Sequence, residues 1–421
     1  MKKLFAVMLT LAMSVAACGM FTACGNTKSG KTAYVLCETG DTYSQGLGSS
    51  FKKAYEDLGG TVIMESFPKN TSEFTSYIQK AIDKNVDVVF APNSTTVAVN
   101  LIKQAYDAGL KAPLMAGDTW EHADILNAAK GKDLDVYCST FFDESDSAAA
   151  ATTFVDGFKA WLNENADKKT ANGGNDIVAA VSALGFDAYN VAYAAIEKAA
   201  AEKGEDLTSV DVAKALWTVE YTDAVTGAIK FDTNGDAIKD TAYIKKAAGD
   251  KFQFIKTQSV ENNAAQGSVY NYNSNKYNTI DKVNKIIKIG VFEPQSGDNG
   301  NGGKQEVIAI QYARSLKPTI KIGESTYTIE LVEADNQSSD AAAPTAAGKI
   351  VSEGAIVSLG SYGSGVSIAA NETFEKNGVP AIGVSCTNAA VTLNHPYYFR
   401  ICFLDPFQGS VMANFAMSLS K

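Results

Sequence analysis

The chain is predicted to form an α/β protein of two Rossmann-like parallel-sheet lobes joined by a hinge. Uninterrupted apolar strands alternate with amphipathic helices along most of its length, the pattern of a parallel sheet covered by helices on both faces. Its 421 residues, 46% of them hydrophobic, are too many for one core and call for two. The alternation breaks once, over residues 259–285, where asparagine, tyrosine and serine replace aliphatic residues. That stretch reads as a polar linker between two β-α series, too polar to bury a core.

The first series opens with an apolar strand over residues 33–37. Leu47, Phe51, Tyr55 and Leu58 then share one helical face, ended by Gly59-Gly60. A strand follows at 61–64. Asn70 with Glu73 gives a capping signature ahead of the apolar stripe Phe74, Tyr77, Ile78, Ala81 and Ile82. Residues 86–91 read as a strand, 97–108 as a helix closed by Gly109, and 113–116 as another strand. Helices are expected over 147–166 and 186–203. Asn234-Gly235 marks a hairpin turn within 231–236. Asp232, Asp236 and Asp240 lie there too, but the glycine falls at the wrong loop position for calcium and Tyr243 replaces the closing glutamate. The second series runs strand 286–292, helix 305–316, strands 327–333 and 355–359, helix 364–376, and strands 381–384 and 398–403. It closes on a helix over 406–419 with Pro406 in its first turn.

Charge narrows the function. The net charge of −10 becomes −12 if Lys2 and Lys3 leave with a leader, 35 basic residues then facing 47 acidic. Nucleic acid and anionic membrane surfaces reward Lys/Arg clusters, which are missing here. Two histidines and no Cys-x-x-Cys pair argue against zinc. Cys37, Cys138, Cys386 and Cys402 read as small buried hydrophobes, with a disulfide as the lesser alternative. The glycine-rich run from Gly297 to Lys304 misses the phosphate-loop spacing and reads as a loop at a cleft mouth. No convincing nucleophile–base pair is present, so an enzyme is not expected.

The N-terminus carries a positive region at Lys2-Lys3 and an apolar run over residues 4–17, too short to anchor as a span. Two small-residue sites end in cysteine, at Cys18 and Cys24. The segment resembles a bacterial lipoprotein signal. Cys24 is the favoured lipidation site, because the polar run 25–31 after it makes a flexible tether.

Ligand chemistry gathers at strand ends. Gly360-Ser361-Tyr362-Gly363-Ser364-Gly365 leads into a helix, and Val384-Ser385-Cys386-Thr387-Asn388 follows a strand. In open parallel sheets ligands sit beyond the strand carboxyl ends, where loop amides and helix N-termini attract anions. Hydroxyl groups there suit a carboxylate, with ordinary helix capping as the plainer alternative. Gly117-Asp118-Thr119-Trp120 sets a carboxylate beside an aromatic at another strand end, either holding an ammonium or facing solvent in a turn.

These segments, with Ile289 to Gly297, Gly378 to Ile382, Tyr398-Phe399-Arg400, Asp405-Pro406-Phe407-Gln408-Gly409 and Thr226 to Asp236, resemble the branched-chain amino-acid type of ABC-transporter substrate-binding lipoprotein, a type I periplasmic binding protein. The resemblance implies that Ser364, Ser385 and Thr387 hold the ligand's carboxylate, that Tyr43 reaches in from the second lobe, and that Asp118 accepts the ammonium. Tyr362, Trp120 and Phe292 are candidates for the side-chain pocket, Phe292 with core packing as its alternative. Asn93 stands where the family often has an aromatic.

Order is the departure. In the family the 286–421 block comes first and 31–260 follows, so the chain reads as a circular permutation, with 259–285 bridging the original termini. Residues 1–24 are then the signal peptide and 25–31 the tether. Residues 32–138 with 215–258 form one lobe, and 139–214 with 286–421 the other. The cut is expected at the first crossing between lobes, with Leu419 near Ala33. The implied function is a lipid-anchored, extracytoplasmic, non-enzymatic protein that needs no cofactor. It delivers a branched-chain or other small apolar amino acid to ABC permease subunits. A ligand-sensing module for a receptor and a rearranged product that binds nothing are the alternatives.

Overall fold

The structure, a computed structural model, describes residues 30–260, 264–272 and 274–419. The leader and the lipidation site expected at Cys24 lie outside the described residues. Strands β1 (Thr32–Glu38), β2 (Thr61–Phe67), β3 (Val88–Phe90), β4 (Leu114–Ala116), β5 (Val136–Thr140), β6 (Thr241–Ala248) and β7 (Lys251–Ser259) form one sheet, in the order β2-β1-β3-β4-β5-β6-β7. Strands β8 (Ile286–Glu293), β9 (Thr319–Ile322), β10 (Ser325–Asp335), β11 (Val357–Leu359), β12 (Ala381–Gly383) and β13 (Tyr398–Arg400) form the other, in the order β13-β12-β11-β8-β10-β9. The sheets are mostly parallel, as expected, but β6, β7 and β9 pair antiparallel at the edges. The β6–β7 and β9–β10 connections are two-residue turns, and so short a link cannot make a parallel crossover.

Helices α1 (Thr42–Asp57), α2 (Thr75–Asp83), α3 (Thr95–Asp107) and α4 (Ala123–Ala129) connect the first strands. After β5 the chain crosses to the second sheet with α5 (Ala149–Glu164), α6 (Ala166–Ala171), α7 (Ala180–Lys203) and α8 (Ser209–Leu216), then returns for β6. Helices α9 (Gly300–Leu316), α10 (Ala343–Ser352), α11 (Ser364–Lys376) and α12 (Asp405–Ser418) complete the chain. Helix α7 packs on α9 and β11, and its buried alanines and Leu184, Tyr189 and Ile196 join the core beneath them.

Three sequence expectations change. The cap at Asn70 is not formed: Asn70 is a left-handed turn residue with φ 64°, and α2 starts at Thr75 without a side-chain cap. The side chain of Gln104, from α3, instead accepts the Phe74 N–H at 2.6 Å. The segment expected as a loose linker is docked where it is described. Tyr272 accepts the Trp217 indole N–H at 2.8 Å, donates to the Pro396 carbonyl at 2.6 Å and packs on Tyr397. Asn278 donates to the carbonyls of Val351 and Ala355. Its polar side chains bind backbone carbonyls of the folded lobe, which a composition argument cannot see.

The third change concerns α12. It was expected with the lobe of 286–421, yet it packs along α1 of the other sheet. The helices approach so closely that a Cβ on Gly409 would lie 2.6 Å from the Phe51 nitrogen. Val411, Met412 and Phe415 share a core with Val35, Phe51 and Phe90. The crossing between lobes is therefore the short stretch 401–404, and it is covalent. Past α12, Lys31 Nζ donates to the Met417 carbonyl at 2.8 Å and to that of Leu419, which sets Leu419 beside the start of β1 as expected. Strand β8 pairs with β11, Ile289 opposite Val357, also as expected.

Buried charges lock these pieces. Arg400, fully buried, bonds Asp236 through Nε at 2.9 Å and through Nη2, while Nη1 donates to the carbonyls of Cys386 and Asn388. The 231–236 segment is a turn, bridged Phe231 to Ala237, whose Asp236 is committed to Arg400. Lys245 is buried between Glu121 and Asp143. The four described cysteines are buried, free thiols.

Candidate functional site

A cavity of about 340 Å³ lies between the carboxyl ends of the two sheets. From the first lobe, β4 ends at Ala116, and Gly117 turns the chain so that Asp118 faces the cavity. A Cβ on Gly117 would fall 2.4 Å from the Tyr43 hydroxyl and 2.8 Å from Gln408 Nε2, so only glycine admits both donors to the carboxylate beside it. Tyr43 stands in the first turn of α1, which Asp41 caps by accepting the Ser44 N–H at 2.6 Å.

Asp118 is 3% exposed. Its Oδ1 accepts Gln408 Nε2 at 3.0 Å and the Tyr43 hydroxyl at 3.3 Å. Burial pushes its carboxyl up to about 6, against the pull of those bonds, and Glu121 adds to the rise. Both donors are neutral. Burial also raises the Tyr43 phenol, helped by Asp118.

The floor under this lobe is a hydrogen-bonded web. The Ser44 hydroxyl accepts the Glu38 N–H at 2.9 Å and donates to Asn93 Oδ1 at 2.8 Å. Asn93 Nδ2 donates to the Leu36 carbonyl, and the Thr119 hydroxyl to the Asn93 carbonyl. Asn93, where an aromatic was expected from the resemblance, thus ties β1, β3 and β4 together instead of lining the cavity.

From the second lobe come Tyr362 and Ser364. Ser364 opens α11, and its hydroxyl accepts the Asn388 N–H at 3.2 Å, leaving its own proton for a ligand acceptor. The Tyr362 N–H is held by Glu293 Oε2 at 2.7 Å. Behind it Glu293 and Glu306 are both buried. Burial raises both carboxyls, Glu306 to about 8, and the mutual repulsion of the pair raises Glu293 further. Two carboxyls this close keep a proton between them. The cleft is spanned by Asn388 Nδ2 to the Thr42 carbonyl at 3.2 Å and by Asn301 Nδ2 to Asp124 Oδ2 at 2.9 Å.

Of the expected site residues, Tyr43, Asp118, Tyr362 and Ser364 line one cavity. Ser385, Thr387 and Trp120 are not among the residues that line it. The Ser385 hydroxyl donates to Glu306. Thr387 is buried, its carbonyl accepting the Asp405 N–H. Trp120 sits fully buried in the core of the first lobe with Ile125 and Leu101. Phe292 takes its alternative role, packing edge-on to Phe374. Missed from sequence were Gln408, and on the cavity wall Glu38, Asp41, Lys69, Thr119, Asp298 and Asp340. Gln408 stood in a quoted motif but without a role. The acids lie at a strand end and in loops, up to 302 positions apart, with no shared spacing to mark them.

Residues 4–251 and 286–421 match the periplasmic binding protein family, leaving 252–285 between the two matched stretches. The chain belongs to that family. Among solved structures, this periplasmic binding protein is similar to the leucine binding protein LivK from Thermotoga maritima MSB8, at 23% identity over 54% of this chain and 61% of that one, with a TM-score of 0.47. It is similar to the branched-chain amino acid transporter substrate binding protein LivJ from Streptococcus pneumoniae, solved with isoleucine, at 20% identity over 54% and 60%, with a TM-score of 0.41. A solute binding protein of an ABC transporter from R. palustris, solved with benzoate, matches at 18% identity over 57% and 64%, with a TM-score of 0.43. The chain thus spans about three-fifths of the length of the solved structures it matches. No helix among the described residues is long and apolar enough to cross a membrane.

Proposed function

We propose that this periplasmic binding protein is an extracytoplasmic, lipid-anchored receptor that binds an amino acid and delivers it to an ABC importer. The observation that carries the reading is Asp118, a carboxylate buried at the cleft whose hydrogen-bond donors, Gln408 and Tyr43, are both neutral. A buried carboxylate without a cation is costly, and a ligand ammonium supplies the missing charge. On the facing wall Ser364 offers a hydroxyl at the start of α11, suited to a carboxylate. Together they select a zwitterion.

A small apolar side chain, as the resemblance implies, would find Ala341, Val366 and the rings of Tyr43 and Tyr362 to pack on. The permuted order is part of this reading. It is supported by Lys31 closing on the end of α12 and by the unmatched segment between the two family stretches. In the lobe division we propose, residues 405–419 go with the lobe of β1–β7, while 217–237, which pack on Phe399 and Arg400, go with the other lobe. A thermal-shift screen against the twenty amino acids tests the function, since a ligand at about 100 times its Kd stabilises by roughly 2.7 kcal/mol. No shift with any of them would overturn it.

A further inference from the structure

We infer that the ligand's side chain is cationic, in place of the small apolar one that the resemblance implies, so that the cleft takes an amino acid of the lysine or arginine type. This rests on the amino-acid reading above and concerns the part of the cavity that reading leaves unused. Beyond Asp118 and Ser364, the wall carries the carboxylates of Glu38, Asp41, Asp298 and Asp340, and a single cation, Lys69.

An acidic wall on an acidic protein decides nothing alone. Glu38 decides. It is 8% exposed and lines the cavity, yet among the described residues its carboxylate receives no hydrogen bond. The bonds it makes, to the Ser44 hydroxyl and from Gln45 Nε2 and the Asp41 N–H, use its backbone N–H and carbonyl. Burial raises its carboxyl, and the like charges of Asp41 and Asp298 raise it further, with Lys69 offsetting them in part. Asp41 already accepts the Ser44 N–H as the cap of α1, but burial raises it, as do Asp340 and Asp298, while the Ser44 amide and Lys69 pull it back.

Both carboxylates therefore face a gap in which an opposite charge would relieve them. A side-chain ammonium brings three donors and a guanidinium five, enough to serve Glu38 and Asp41 together. An apolar side chain in the same place would strip water from these groups and return nothing. The cavity is thus organised for two cations on one ligand, the α-ammonium at Asp118 and the side-chain charge at Glu38 and Asp41.

Calorimetry on the full chain tests this with lysine, arginine, leucine, norleucine and cadaverine. Lysine or arginine is expected to bind at least about ten-fold more tightly than norleucine, which has the chain without the charge. Raising the salt should narrow that gap, since part of the wall is solvent-exposed. Glu38→Gln and Asp41→Asn each remove one charge with little change of shape, and asparagine still caps α1. Each should cut the lysine-over-norleucine preference by about ten-fold, with an undiminished melting temperature as the check on folding. Leucine or norleucine binding as tightly as lysine would overturn the cationic side chain and leave the amino-acid site standing. A lysine preference untouched in both variants would overturn this wall as its cause. Cadaverine binding as tightly as lysine would mean that no carboxylate is recognised, and binding of no amino acid at all would overturn the proposed function itself.

Discussion

At the scale of single residues, the site turns on carboxyl groups held away from water. Replacing Asp118 by asparagine keeps the shape and removes the charge, so Asp118→Asn is expected to weaken amino-acid binding by about 2–5 kcal/mol in calorimetry. Because the Asp118 carboxyl titrates near 6 and the ammonium needs it ionised, affinity should be full above that pH. It should fall about ten-fold per unit below it. Glu306 gives a stability signature instead. Its folded value, about 8, lies above the ordinary 4.5. Between those values the folded chain holds a proton that the unfolded chain has released, so this group's contribution is complete below 4.5 and is lost as pH rises through 8. Glu306→Gln needs no proton and can still accept the Ser385 hydroxyl. It is expected to flatten that decline and melt above the wild type at alkaline pH. For the anchor, Cys24→Ala should release the protein from membranes while Cys18→Ala should not, as cell fractionation would show.

At the scale of elements, the contact between α1 and α12 is the most constrained. Gly409 leaves no room for a methyl against the backbone of Ser50 and Phe51. Gly409→Ala is expected to destabilise by about 1–3 kcal/mol in thermal melts, since the helices must part to admit it. This contact was not legible in the sequence, because apolar residues are spread all round α12 and no stripe points to its partner. Elements with strong periodicity were legible: α11 runs over the expected residues, and β8 and α3 differ by a residue or two at their ends. The β6–β7 hairpin was not, because Lys, Gln and Thr alternate through an exposed edge. Asp118, Tyr362 and Ser364 were marked by strand-end motifs and Tyr43 by the family resemblance, and these four line one cavity. Glu38 and Asp41 were not, since nothing local distinguishes a cavity-facing acid from a solvated one.

At the scale of the molecule, three covalent crossings join the lobes: β5 into α5, α8 into β6, and β13 into α12. From sequence, the proposed permutation cut is expected at a crossing between lobes. With α12 packed on α1, the gap between Leu419 and Lys31 falls inside one lobe, and the hinge is whole. A rejoined chain that begins at Ile286 and runs from Leu419 directly into Lys31 is therefore expected to bind the same ligand with about the same affinity. A gain of more than about ten-fold in calorimetry, equal to 1.4 kcal/mol, would point to a hinge impaired in the present order.

The placement of α12 also fixes a timetable. The apolar face of β1 and α1, among the earliest described residues to leave the ribosome, is covered by a helix made from the last. Until residues 405–418 have been made, Val35, Leu47 and Phe51 lack the cover that α12 gives them. A chain arrested short of residues 405–418 is expected to expose that apolar face, however complete its other strands.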